Sequence, residues 1–124
     1  MRAWLLLPLA FLTIVCAGCG GERPPPITEA EWKANVLDDP GPVLVDFGAT
    51  WCGPCRSMEP IVARLAKEFK VVKVDVDANE KLAQHMRIET IPAFFIFVDG
   101  KVVQSFQGLT RESALRNELK QFTR

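Results

Sequence analysis

The apolar run Val43-Leu44-Val45-Asp46-Phe47 leads, across one short turn, into Cys52-Gly53-Pro54-Cys55, after which Met58, Ile61, Val62, Leu65 and Phe69 recur at helical spacing. A run of strand length feeding an amphipathic helix defines a strand-turn-helix unit. Pro60 lies inside that helix and is expected to kink it. Downstream, the β-branched stretch Val71 to Val76 reads as a second strand and Asn79 to Met86 as a brief polar helix. "AFFIFVDGKVVQSFQG" is a hairpin turning at Asp99-Gly100. Upstream, Thr28 and Glu31 have capping-box spacing and Ile27 can staple onto Trp32, so a helix should run to about Leu37 before "DDPGP" breaks it. Thr110 is placed to cap a last helix on which Leu115, Leu119 and Phe122 share a face. The order α β α β α β β α predicts an α/β domain with a mixed central sheet covered by helices on both faces.

With 124 residues, 48% of them hydrophobic, the chain can bury one core but not two. Its 15 basic and 15 acidic side chains balance and form no basic block, which excludes nucleic acid and polyanions as indicated partners. The N-terminus stands apart. Arg2, an apolar stretch from Leu5 to Val15 and a small-residue exit make residues 1–18 a secretory signal, interrupted by Pro8 and shorter than a span of roughly twenty residues. Ala17-Gly18-Cys19 resembles the lipobox of bacterial lipoproteins, with Cys16 where that motif usually has Leu. The resemblance implies that Cys19 is diacylated and becomes the mature N-terminus. Residues 19–26, "CGGERPPP", then read as a Gly- and Pro-rich tether with a reach of about 25 Å, which would hold a domain of residues 27–124 close to a membrane.

The Cys52/Cys55 pair admits three readings. Zinc needs two further ligands, and the remaining candidates are His85, alone of its type, and the cysteines of the signal and anchor. A structural cystine suits an exported protein, yet so short a loop crosslinks little of the unfolded chain. Position favours chemistry. A strand and a turn place Cys52 at a helix N-terminus, where unpaired N–H groups and the helix dipole stabilise a thiolate. Cys52 is then the nucleophile, and Cys55, one turn inside, attacks the mixed disulfide. Pro54 restrains the first turn, where its missing N–H costs little.

The sequence resembles the thioredoxin family: "VDFGATWCGPCR" matches its active-site signature, and the likeness runs through "KVDVD", "IETIPAFFIFVDGK" and "FQG" over about Ile27 to Arg124. The resemblance implies a thioredoxin fold and protein-disulfide reduction by the dithiol itself, with no metal or dissociable cofactor. It further implies that Asp46 is a buried carboxylate that moves a proton to or from Cys55, with Lys73 as its neighbour. Ile91-Pro92 matches a cis-proline loop offering backbone hydrogen bonds to an extended substrate. Trp51, Gly53, Pro54 and Gly108 complete the recognition surface. His85 is expected to be an ordinary helix residue.

Three departures stand out. Gly48 occupies a position where the family commonly has Trp, which removes a large ring near the active-site strand. Arg56 replaces Lys and keeps the charge. The family's first strand should be short or missing, because "ERPPPI" contains three prolines that cannot donate ladder hydrogen bonds. The chain is expected to act as a monomer on protein disulfides, reduced in its exported location by a membrane thiol carrier. An oxidase or isomerase, a reductase for cytochrome c maturation, and a non-redox adaptor using the same surface are the alternatives. The chain lacks the helical insertion of dedicated oxidases and the central insert of many maturation reductases.

Overall fold

A computed structural model of the chain describes residues 23–123. The signal segment 1–18 and the lipobox cysteine Cys19 lie outside the described residues. The elements are α1 (Glu29–Trp32), continued by a π-helical turn (Lys33–Leu37), β1 (Val43–Gly48), α2 (Gly53–Leu65), β2 (Lys70–Asp75), α3 (Glu80–His85), β3 (Ala93–Val98), β4 (Lys101–Gln107) and α4 (Glu112–Gln121). Four strands form one sheet in the order β2-β1-β3-β4. β1 runs parallel to β2 and antiparallel to β3, so the sheet is mixed, as the element order implies. Among the described residues no strand precedes α1, and the three prolines lie in irregular chain.

Alternation along the strands builds two cores. Val43, Val45, Phe47, Phe95 and Phe97 face Val36, Trp32 and α3. Leu44, Phe94 and Ile96 face Met58, Val62 and Leu65 of α2 and Leu115 and Leu119 of α4. The sheet is thus covered on both faces. On β1 this period of two leaves Asp46 on the same side as Leu44, towards α2, in a position that alternation reserves for an apolar residue.

The local signals act largely as written. Thr28 Oγ1 accepts from the Glu31 N–H and the Glu31 carboxylate accepts from the Thr28 N–H, closing the capping box. Thr28→Ala is expected to cost about 1 kcal/mol, read as a shift of the urea midpoint. Asp99 (φ 51°) and Gly100 (φ 76°) both adopt left-handed backbone, as a two-residue hairpin turn requires. A Cβ at Gly100 would also approach the Leu37 carbonyl oxygen to 3.0 Å. Gly100→Ala should therefore destabilise by about 1–2 kcal/mol in equilibrium unfolding.

One expectation is corrected. Thr110 does not cap α4: its hydroxyl donates to the Gly108 carbonyl, 3.1 Å away, and Arg111 takes the N-cap position without a side-chain hydrogen bond. The turn at Gly108 holds the hydroxyl locally and withdraws it from the helix. Pro60 lies inside α2, as its place in the sequence implies, and the helix runs from Gly53 to Leu65. Its missing N–H deprives only the Arg56 carbonyl, and both residues lie on the exposed side.

Candidate active site

Cys52 is the N-cap of α2, with extended backbone (φ −80°, ψ 109°), and its sulfur accepts the Cys55 N–H at 3.1 Å. The two sulfurs are joined as a disulfide. When that bond is reduced, the same N–H and the helix dipole favour negative charge on Cys52 over Cys55, which lies inside the first turn. Pro54 is in that turn too, where no N–H partner is lost.

Exposure does not follow the same ranking. Cys52 is 3% exposed, whereas Cys55 is only partly covered. Cys55, Asp46 and Gly48 line a cavity of about 330 Å³ whose far wall includes Pro24, Pro25 and Lys73, and Cys52 is not among its lining residues. The last residues of the expected tether thus lie against the body of the domain. A Cβ on Gly48 would sit 3.3 Å from Cys55 Sγ, so any side chain at this position would pack directly on that sulfur.

Asp46 is 8% exposed. No hydrogen bond among the described residues engages its carboxyl oxygens, and no fully buried side-chain oxygen or nitrogen there lacks a partner. Its oxygens must therefore open onto the cavity. Burial pushes the Asp46 pKa up to about 6; the positive charge of Lys73 opposes the rise and Glu59 adds to it. Lys73 faces Asp46 across the β1–β2 register, but its amino group is exposed and lies 4.0 Å from the Glu59 carboxylate.

The other side of the dithiol is a shallow surface. Trp51 is 66% exposed and its indole N–H donates to Asp77 Oδ2 at 2.8 Å. The Ile91–Pro92 bond is cis, and the Pro92 carbonyl accepts the Gly108 N–H at 2.7 Å. Gly108 has φ +84°, with nothing within 4 Å of where a Cβ would be. Trp51 and Ile91 line a second cavity, of about 300 Å³. Gly53 and Pro54 are exposed beside it. Sequence reasoning missed Asp77, which orients Trp51, and Leu109, 68% exposed next to Gly108. Asp77 ends the quoted "KVDVD" stretch, which attaches no role to it, and Leu109 belongs to no periodic pattern; proximity in the fold supplies the role of each. His85 is exposed in the last turn of α3. Among the described residues no three His, Cys, Asp or Glu side chains gather around a metal-sized point.

A cysteine pair that caps a helix, with a covered carboxyl behind it and a cis-proline loop nearby, is the arrangement of a thiol–disulfide oxidoreductase. The sequence matches the thioredoxin family over residues 24–121. It is 42% identical to thioredoxin 1 of Synechococcus elongatus, over 75% of this chain and 91% of that one, and 39% identical to thioredoxin of Mycobacterium bovis, over 75% and 84%. Its structure is similar to that of a mutant thioredoxin from Halobacterium salinarum, with TM-score 0.74 and 36% identity over 80% of this chain and 88% of that one. The chain belongs to the thioredoxin family. It is a protein-disulfide reductase of the dithiol type.

Proposed function

We propose that the protein is an exported, membrane-tethered thioredoxin that reduces protein disulfides, with Cys52 attacking and Cys55 resolving. The observation that carries the assignment of roles is the hydrogen bond from the Cys55 N–H to Cys52 Sγ at the start of α2. The Cys52 thiolate attacks one sulfur of the substrate and forms a mixed disulfide. Cys55 then attacks the Cys52 sulfur and releases the substrate thiolate. Asp46 takes the Cys55 proton, and Lys73 across the register restrains how far its proton affinity rises. The backbone of Ile91, presented by the cis bond to Pro92, pairs with an extended substrate, flanked by Trp51, Gly53, Pro54 and Gly108. Protein disulfides are the substrates, a membrane thiol carrier is the electron donor, and the chain works as a monomer.

The tethering rests on the signal-like residues 1–18, the lipobox Ala17-Gly18-Cys19 and the tether-like residues 19–26. Cys19→Ser is expected to move the protein from the membrane fraction to the soluble fraction of export-competent cells. Retention at the membrane in that variant would refute the anchor. The reducing direction is tested by titrating the Cys52–Cys55 couple against glutathione and dithiothreitol. A potential close to about −270 mV supports a reductase, and one at or above about −180 mV makes the protein an isomerase or oxidase.

A further inference from the structure

We propose that the cavity beside Gly48 admits a small aliphatic thiol, preferentially one carrying an amino group, which reduces the disulfide by attacking Cys55. Protein substrates are met at Cys52, so the two sulfurs would serve different reactants from opposite sides. The inference rests on the reading of Cys52 as the attacker of protein disulfides only for this division of labour.

The cavity supports it in three ways. First, Cys55 lines it and Cys52 does not. At about 330 Å³ it falls at the lower end of the roughly 300–1,000 Å³ typical of small-molecule sites, a size suited to a small molecule. Second, Asp46 offers it a carboxyl oxygen that has no hydrogen-bond partner among the described residues. Third, among the described residues its lining carries Asp46, Glu59 and Asp75 against the single cation Lys73, which favours a cationic over an anionic thiol.

The exchange balances. The incoming thiol gives its proton to Asp46, and its sulfur bonds to Cys55 Sγ as the Cys55–Cys52 bond breaks. The electron pair leaves on Cys52, the sulfur that already accepts an N–H at the helix N-terminus and is therefore the better leaving group. A second thiol, giving its proton to solvent or to the Cys52 thiolate, attacks the outer sulfur of the Cys55 mixed disulfide. The small disulfide departs, and Cys55 recovers the proton held by Asp46. Two thiols are oxidised to one disulfide, and the protein gains two electrons.

The test uses the full chain. Oxidised protein is mixed with cysteamine, 2-mercaptoethanol or 3-mercaptopropionate while thiol release is followed. The reduced protein is assayed on insulin in parallel. Cysteamine should be fastest and mercaptopropionate slowest after correction for thiolate fraction. Gly48→Leu should slow the cysteamine reaction at least about tenfold and abolish the charge order, while insulin reduction changes less than about twofold. Equal slowing of both reactions, or of neither, overturns the proposal. A variant-independent arm keeps Gly48: in Cys52→Ser, Cys55 should react with cystamine within about tenfold of the rate of Cys52 in Cys55→Ser, with the adduct mapped by mass spectrometry. An inert Cys55 also overturns it. Insulin reduction that survives Cys52→Ser refutes the reading of Cys52 alone and leaves the cavity to be judged by the other arms.

Discussion

Cys52→Ser is expected to lower protein-disulfide reduction by about 10³-fold or more, because the attacking group changes from a stabilised thiolate to a hydroxyl that stays protonated at neutral pH. The Cys55 N–H, 3.1 Å from the sulfur, would then face an uncharged oxygen and activate nothing. Cys55→Ser should behave differently. Cys52 still attacks, but nothing on the protein resolves the product, so the substrate accumulates as a mixed disulfide on Cys52 that dithiothreitol releases. Insulin turbidity measures the first effect and a non-reducing gel the second. If the double variant Cys52→Ser/Cys55→Ser kept its cellular function, the surface of Trp51, Pro92 and Gly108 would be acting by binding alone.

Asp46→Asn should stabilise the folded protein by about 3 kcal/mol at pH 8. The carboxyl has a folded pKa of about 6 against an ordinary aspartate value of 3.8, so the native state holds the proton more tightly than the unfolded chain does. The stability gained from that proton is fully present below about pH 3.8 and is lost as the pH rises through about 6. Above that range the ionised group sits in a covered position, and each tenfold rise in its proton affinity corresponds to about 1.4 kcal/mol. An amide removes the charge and the penalty with it. For a domain of this size the gain corresponds to a rise in Tm of about 10 °C or more. Urea unfolding of both proteins at pH 8 and pH 4 checks it: the gap should be large at pH 8 and nearly closed at pH 4. An equal gap at both values would mean that packing, not charge, controls the site. The same variant should resolve mixed disulfides more slowly, since it cannot take the Cys55 proton.

Retaining a destabilising carboxylate is understandable if it serves the chemistry. Alternation on β1 gives Leu44 and Asp46 the same face, and Leu44 is completely buried in the core under α2 and α4. An apolar residue at 46 would extend that core towards Cys55. The acid instead places a proton acceptor there, with an affinity close to the working pH.

Much of this was legible in the chain. The periods of 3.6 and 2 located the helices and strands, and Asp99-Gly100 identified the hairpin because few residue pairs tolerate two successive left-handed conformations. The capping box at Thr28 and Glu31 closed as its spacing required. These signals are local: each depends on residues within a turn or a pleat of one another. Thr110 misled because a hydroxyl has several backbone acceptors within reach, and the carbonyl of Gly108 took it.

The sequence by itself determined the order of the elements, the cysteine pair at a helix start and the oddity of an acid within an apolar strand. The family resemblance marked Gly48 as the absence of a ring, without saying what the absence exposed. Only the tertiary structure decided which cysteine is the more buried, that Asp77 holds Trp51, that Lys73 leans towards Glu59, and that Pro24 and Pro25 line the space beside Cys55. The reason is physical. Secondary structure follows from neighbours along the chain, whereas exposure, proton affinity and cavities depend on which surfaces pack together, and β1, β2 and α2 meet only when the sheet is assembled.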